Sequence, residues 1–179
     1  MIIRVTTGIG AGPTAQAAFD AALRHAGVAN YNLLGFSSII PTGARIERGK
    51  PNSNAGEYGH RLYVVLSRRL EREPGKIAWA GLGWTQDKSS GRGLFVESDG
   101  PSLGVVEQEI DVTLQVMKSA RSIPYGENES EIAGIECHQQ PVCALALAVY
   151  HSSRCETNPM VNTLLEPSVQ RMLKSRYDS

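Results

Sequence analysis

The sequence predicts an α+β fold, a largely antiparallel β structure with helices on its outer faces. Segments of β character run consecutively and outnumber the helical ones, in the order strand, helix, several strands, helix, strands, helix. Hydrophobic residues make up 41% of the 179 residues and charged residues 20%, the balance of an ordinary globular chain able to bury a core. No repeat, low-complexity stretch or linker divides the chain, so a single domain is expected over 1–179.

Ile2-Ile3-Arg4-Val5-Thr6 is rich in β-branched side chains and reads as an opening strand. Gly8-Ile9-Gly10-Ala11-Gly12 reads as a turn. An alanine-rich helix follows over 14–26, with Phe19, Leu23 and Ala26 on one side; Thr14 suits its N-cap and Gly27 its C′ position. Asn30 to Phe36 reads as a strand running into Ser37-Ser38-Ile39-Ile40-Pro41, where the proline restricts Ile40 to extended geometry. The polar, glycine-containing residues 42–60 mark a loop. Strands are expected at 62–67 and 76–84, joined by a charged connection over 68–75. Another is expected at 93–97, closed by a hairpin-type turn at Asp99-Gly100. From Leu103 to Ile123, Val106, Ile110, Leu114 and Met117 form a helical stripe. Ile132–His138 and Val142–Tyr150 read as strands, the second apolar throughout and so buried on both faces. Over 151–179, Met160, Leu164, Leu165, Val169, Met172 and Leu173 fall at helical spacing around Pro167, which favours two short helices meeting there.

Eighteen basic residues balance eighteen acidic ones, for a net charge of zero and a pI of about 6.9. That balance argues against a basic nucleic-acid footprint and against an acidic disordered tail. The longest apolar run, Val142 to Tyr150, is far short of a membrane span, and Met1-Ile2-Ile3-Arg4-Val5 lacks the apolar core of a signal peptide. A cytoplasmic protein engaging neither nucleic acid nor membrane is expected. Cys137, Cys143 and Cys155 fit neither C-x-x-C nor zinc-ribbon spacing, and the four histidines are scattered. Reduced, mostly buried thiols and no metal site follow.

Four features invite a chemical reading. Gly8-x-Gly10-x-Gly12 between a strand and a helix suggests amides for an anion, but Pro13 stands in the last place of the dinucleotide fingerprint. No Gly-Lys-Ser/Thr follows either, so a tight strand-to-helix turn is the better account. Asp20 lies beside Phe19 in an alanine-rich helix; it either turns to solvent or meets a cationic ligand group. Ser37-Ser38 lacks the G-x-S-x-G setting of a hydrolase; it is either a commonplace pair of hydroxyls or a site where a hydroxyl attacks the preceding carbonyl. Glu97 ends an apolar strand, where burial would keep it protonated as a general acid and exposure would leave it a solvated strand end.

In order along the chain, Ala18-Phe19-Asp20-x-Ala22-Leu23, Ala26-Gly27, Asn30-x-Asn32-Leu33, Ser37-Ser38-Ile39-Ile40-Pro41 and Gly93-Leu94-x-x-Glu97 resemble the pyruvoyl-dependent arginine decarboxylases. The resemblance covers about 2–150 and is densest over 17–41. It implies a four-layer αββα sandwich assembling as a homotrimer or a dimer of trimers, with sites between subunits. It also implies self-cleavage between Ser37 and Ser38. Ser38 Oγ attacks the Ser37 carbonyl, elimination follows, and residue 38 becomes a covalent pyruvoyl group. A β chain 1–37 and an α chain 38–179 result. The established group would replace pyridoxal phosphate in converting L-arginine to agmatine and CO2. On the same resemblance Glu97 protonates the carbon that loses CO2, and Asn32 orients the cleavage site or supplies an oxyanion donor. Asp20 receives the guanidinium with bidentate geometry, while Ser37 and Ile39 lie beside the reacting group. Thr42 stands where relatives often have a second proline, and Gln16 where an apolar residue is common near the ligand. The tail after Tyr150 lies outside the resemblance. An uncleaved member serving as a binding or regulatory subunit remains the alternative from a different functional class, and an anion- or nucleotide-binding protein using Gly8–Gly12 is a third.

Overall fold

The computed structural model describes residues 1–52 and 55–155; the helices expected around Pro167 lie outside the described residues. The elements run β1 (Ile2–Ala11), α1 (Ala15–Ala26), β2 (Asn32–Gly35), β3 (Ile39–Ile40), β4 (Arg45–Arg48) and a single 3-10 turn (Ala55–Glu57). Then come β5 (Arg61–Glu71), β6 (Ile77–Gln86), β7 (Gly93–Gly100), α2 (Leu103–Ser119), β8 (Glu129–Glu136) and β9 (Val142–Ser153). They build a five-stranded sheet in the order β2-β5-β9-β1-β4 and a four-stranded sheet in the order β3-β7-β6-β8. The short pairs β1–β4 and β2–β5 are parallel, and every other pair is antiparallel.

The two sheets pack face to face. Ile3, Val5, Val65, Ala146 and Ala148 of the larger sheet bury against Leu82, Trp84, Phe95 and Ile40 of the smaller. Helix α1 covers the outer face of the five-stranded sheet, with Ala18, Ala22, Leu23 and Ala26 on Leu62, Val64, Leu145 and Leu147. Helix α2 covers the four-stranded sheet, with Val106, Ile110 and Leu114 on Leu94 and Val96. This is an α+β four-layer αββα sandwich. Strand β9 runs through the middle of the larger sheet, with Val142 to Tyr150 buried on both faces as their uninterrupted apolar character requires.

Helix α1 starts and stops where its sequence dictates. The Thr14 hydroxyl accepts from the Ala17 amide at 3.1 Å, and Gly27 closes the helix in the left-handed conformation at φ 84°. The glycines before it are a correction to the sequence reading. Gly8 and Gly10 lie inside β1, paired with Leu145 and Cys143 of β9, so there is neither a turn nor an anion loop at that point. A Cβ on Gly8 would collide with the Ala22 carbonyl, and one on Gly10 with the Ala22 amide. Glycine at alternate strand positions thus clears one face of β1, and the alanines of α1 lie directly on it.

Other boundaries differ for local reasons. The polar stretch 42–60 contains β4, which exists by parallel pairing with β1, and the 3-10 turn. The charged residues after Ser67 continue β5 as far as Glu71. Asp99-Gly100 is not a turn but the end of β7, after which Ser102 caps α2. The β6–β7 hairpin instead turns over 87–92. Helix α2 stops at Ser119 rather than at Ile123, β8 spans 129–136 rather than 132–138, and β9 carries on to Ser153, into the segment read as a helical tail. Cys137 and Cys143 are buried, Cys155 is exposed, and all three are free thiols.

Candidate active site

The Ser37–Ser38 peptide spans the gap between the two sheets. Strand β2 pairs with β5 at the edge of the larger sheet, and the Phe36 amide extends that ladder with a bond to the Val64 carbonyl at 2.8 Å. Two residues later the chain belongs to the smaller sheet, where β3 pairs Ile39 with Leu94 and the Phe95 amide donates to the Ser38 carbonyl at 2.9 Å. The crossing is a tight turn in which the Ile39 amide donates to the Ser37 carbonyl at 2.6 Å. Sequence makes this possible on both sides: Leu33 and Ile40 are anchored inward, while Pro41 ends the two-residue β3.

Ser38, half-buried, donates its hydroxyl to Glu97 Oε2 at 2.6 Å. The two residues are 59 positions apart and are brought together by the β3–β7 pairing. The short strands β2 and β3 leave the rest of β5 and β7 uncovered. Between those open edges lies a cleft of about 410 Å³ bounded by Leu66, Ser67, Arg68, Glu97, Ser98 and Asp99. The Ser67 hydroxyl ties the two sheets together across its floor with a 2.6 Å bond to the Ser98 carbonyl, and Arg69 pairs with Asp99 at 3.1 Å. Arg68 lays its guanidinium over the Phe19 ring, 4.7 Å from the centroid. Glu97 itself is exposed in the single chain.

The remaining candidates are placed less centrally. Asp20 sits on α1, half-exposed, and forms an ion pair with Arg24 one turn further on; it does not bound the Glu97 cleft. The Asn32 side-chain amide donates to the Gly59 carbonyl at 2.8 Å. Ser37 is exposed, and Ile39 presents an apolar side chain that is 50% exposed next to the crossing. Within one chain, therefore, Ser37, Ser38, Ile39 and Glu97 converge, while Asp20 and Asn32 face other partners.

Tyr150 is a member of this neighbourhood that the sequence reading treated only as the end of an apolar run. Its hydroxyl donates to the Ile39 carbonyl at 2.9 Å, and its ring meets Phe36 edge-on at 5.1 Å and Phe95 at 6.3 Å. Burial, and then the negative charge of Glu97, push its phenol well above the ordinary tyrosine range, so the group is a donor at any working pH. A tyrosine closing an otherwise apolar strand was the one available signal, since a buried phenol needs a partner.

A protein-family model described as pyruvoyl-dependent arginine decarboxylase matches residues 2–155. Among curated proteins, the pyruvoyl-dependent arginine decarboxylase of Halobacterium salinarum is 42% identical over 96 residues, which are 54% of this chain and 59% of that protein. The Thermoplasma volcanium protein of the same name is 36% identical over 86 residues, 47% of each chain. The one from Nitrosopumilus maritimus is 29% identical over 126 residues, 68% of each. The match to the Halobacterium protein thus spans about 59% of the relative's length. Among the described residues no helix is long and apolar enough to cross a membrane.

Proposed function

The chain belongs to the pyruvoyl-dependent arginine decarboxylase family, and on that premise we propose that it cuts itself between Ser37 and Ser38 and converts L-arginine to agmatine and CO2. The observation that carries this reading is the 2.6 Å contact of Ser38 Oγ with Glu97 at the peptide crossing between the sheets. A carboxylate at that distance can take the hydroxyl proton as Oγ attacks. An Oγ–C bond forms to the Ser37 carbonyl carbon, the bond from that carbon to the Ser38 nitrogen breaks, and the nitrogen takes up the proton. Loss of the Ser38 Cα proton to solvent base expels the ester oxygen as the Ser37 carboxylate. Water then displaces ammonia and leaves a keto group at residue 38. The pieces are 1–37 and 38–179, two unequal parts of one domain.

The residues present suit such a group, because the parent serine is in contact with an acid–base partner, Glu97, that itself lines an open cleft. Once formed, it supplies the electron sink that decarboxylation of an amino acid needs. Glu97 stands within reach of residue 38 to return a proton to the carbon that loses CO2. Ile39 and the new Ser37 carboxylate line the approach. Asp20 is assigned to the substrate guanidinium, where two parallel charge-assisted hydrogen bonds favour arginine over lysine. It lies on the outer face of the larger sheet, away from its own Ser38. In a homotrimer or dimer of trimers, Asp20 of one copy would serve the Ser38–Glu97 pair of another. Such a neighbour would also cover Glu97 and the open edges of β5 and β7. Asn32, one strand upstream of the crossing, is assigned to holding the cleavage site in place.

Intact mass after incubation at neutral pH tests the reading. Two chains are expected, one ending at Ser37 and one starting at residue 38 with a blocked N-terminus. Ser38→Ala should stay whole and release no CO2 from arginine. Glu97→Gln should fold and lose at least about 100-fold in turnover, the usual size of a general acid–base contribution. A wild-type chain that stays in one piece would overturn the decarboxylase and support the uncleaved regulatory subunit.

A further inference from the structure

We propose that Tyr150 is a positioning residue for the self-cleavage, clamping the crossing peptide from both of its sides. The inference rests on the cleavage reading above and goes beyond it by assigning a residue to the geometry of the tight turn. Three successive carbonyls around the bond to be cut each have a donor: Ser37 from the Ile39 amide, Ser38 from the Phe95 amide, and Ile39 from the Tyr150 hydroxyl. The first two donors are main chain and come with the fold. The third is a side chain 111 positions away in sequence, on the central strand of the other sheet.

The same ring that carries the hydroxyl packs edge-on against Phe36, the residue just before Ser37. One side chain therefore holds Phe36 on the upstream side of the cut and Ile39 on the downstream side. Tyr150 is 7% exposed at the end of a run whose other members are apolar, and packing alone would be served as well by phenylalanine. A hydroxyl retained there has the Ile39 carbonyl as its hydrogen-bond acceptor. Without it, the Ile39 carbonyl loses its donor and the tight turn at Ser38 is free to open into ordinary strand. That opening would withdraw Ser38 Oγ from the carbonyl it must attack.

The test follows the cleaved fraction of freshly synthesised full chain by mass at neutral pH. Tyr150→Phe should keep the thermal midpoint and slow cleavage by about tenfold or more, the scale of one lost hydrogen bond acting in the transition state. Placing 4-aminophenylalanine at position 150 restores a donor in the same place, and cleavage should return towards the wild-type rate. A role confined to packing would leave the phenylalanine and aminophenylalanine chains indistinguishable. The proposal is overturned if Tyr150→Phe cleaves within about twofold of wild type, or if the aminophenylalanine chain is no faster than Tyr150→Phe. Absence of cleavage in the wild type itself would sink the self-processing reading, and this one with it.

Discussion

At Asp87 a carboxylate that is only 3% exposed gathers the turn of the β6–β7 hairpin around itself. It accepts the Ser90 hydroxyl at 2.6 Å, the Ser89 amide at 2.9 Å and the Ser89 hydroxyl at 2.8 Å. These bonds, led by Ser90, hold its pKa at about 2 against an ordinary 3.8. A carboxyl whose folded pKa is depressed adds stability above its unfolded pKa and loses it as pH falls through the folded one. Asp87→Asn should therefore lower the thermal midpoint at neutral pH, with the gap to wild type closing between pH of about 4 and 2. Melting curves of both proteins across that range check it; a gap that persists unchanged at the acid end contradicts the assignment. The same scale explains what the sequence could show of the candidate site. Ser37-Ser38 and Glu97 stand out in a one-dimensional pattern, because their identity and order carry the resemblance. Tyr150 does not, because its role depends on a bond between strands of different sheets. Nor could sequence decide whether Glu97 is buried, since the cleft beside it is left open by the shortness of β2 and β3.

Among the elements, β1 and α1 form a seam in which glycines face the backbone of the helix directly. Gly8, Gly10 and Gly12 look like a tight turn in sequence, yet each removes a side chain that would strike Ala22 or Ala17. Gly10→Ala should destabilise the fold by about 3 kcal/mol, at the upper end for overpacking because the obstacle is helix backbone and cannot turn aside. Gly104→Ala is the matched comparison: it sits in the first turn of α2 with open space where the Cβ would go, so urea unfolding should find it about 0.5 kcal/mol more stable. Equal effects at the two sites would refute the seam. Long elements with one dominant pattern were legible: the capped helix 14–26, the stripe of α2 and the apolar β9 are where sequence places them, to within a few residues. Strands β3 and β4 were not, because neither Ile39–Ile40 nor the charged Arg45–Arg48 has a period of its own. They are strands only because β7 and β1 offer partners.

For the whole molecule, the position of the crossing decides what cleavage can do. One pair of facing sheet edges, β2 and β3, is joined covalently through Ser37–Ser38; the opposite pair, β4 and β8, is joined by Arg48. That guanidinium bonds Glu131 at 2.6 Å and Glu129 at 3.0 Å and lies 4.9 Å from the Trp84 ring centroid. Residues 1–37 contribute β1, α1 and β2, of which β1 lies inside the larger sheet and β2 at its edge. Strand β1 lies between β9 and β4, paired with β9 from Arg4 to Ala11 and with β4 from Ile2 to Val5. Strand β2 pairs with β5, and α1 fills the outer core with Ala18, Ala22 and Ala26. All the strands that hold β1 and β2 belong to 38–179. Breaking that one peptide would leave these ladders intact and free only the two new ends, beside Glu97. The cleaved protein should therefore elute as a single native species on size exclusion, containing both chains. They should part only at denaturant concentrations that also abolish the far-UV dichroism. Release of the 1–37 chain in native buffer would mean that β1 and β2 are held by the peptide link rather than by their neighbours.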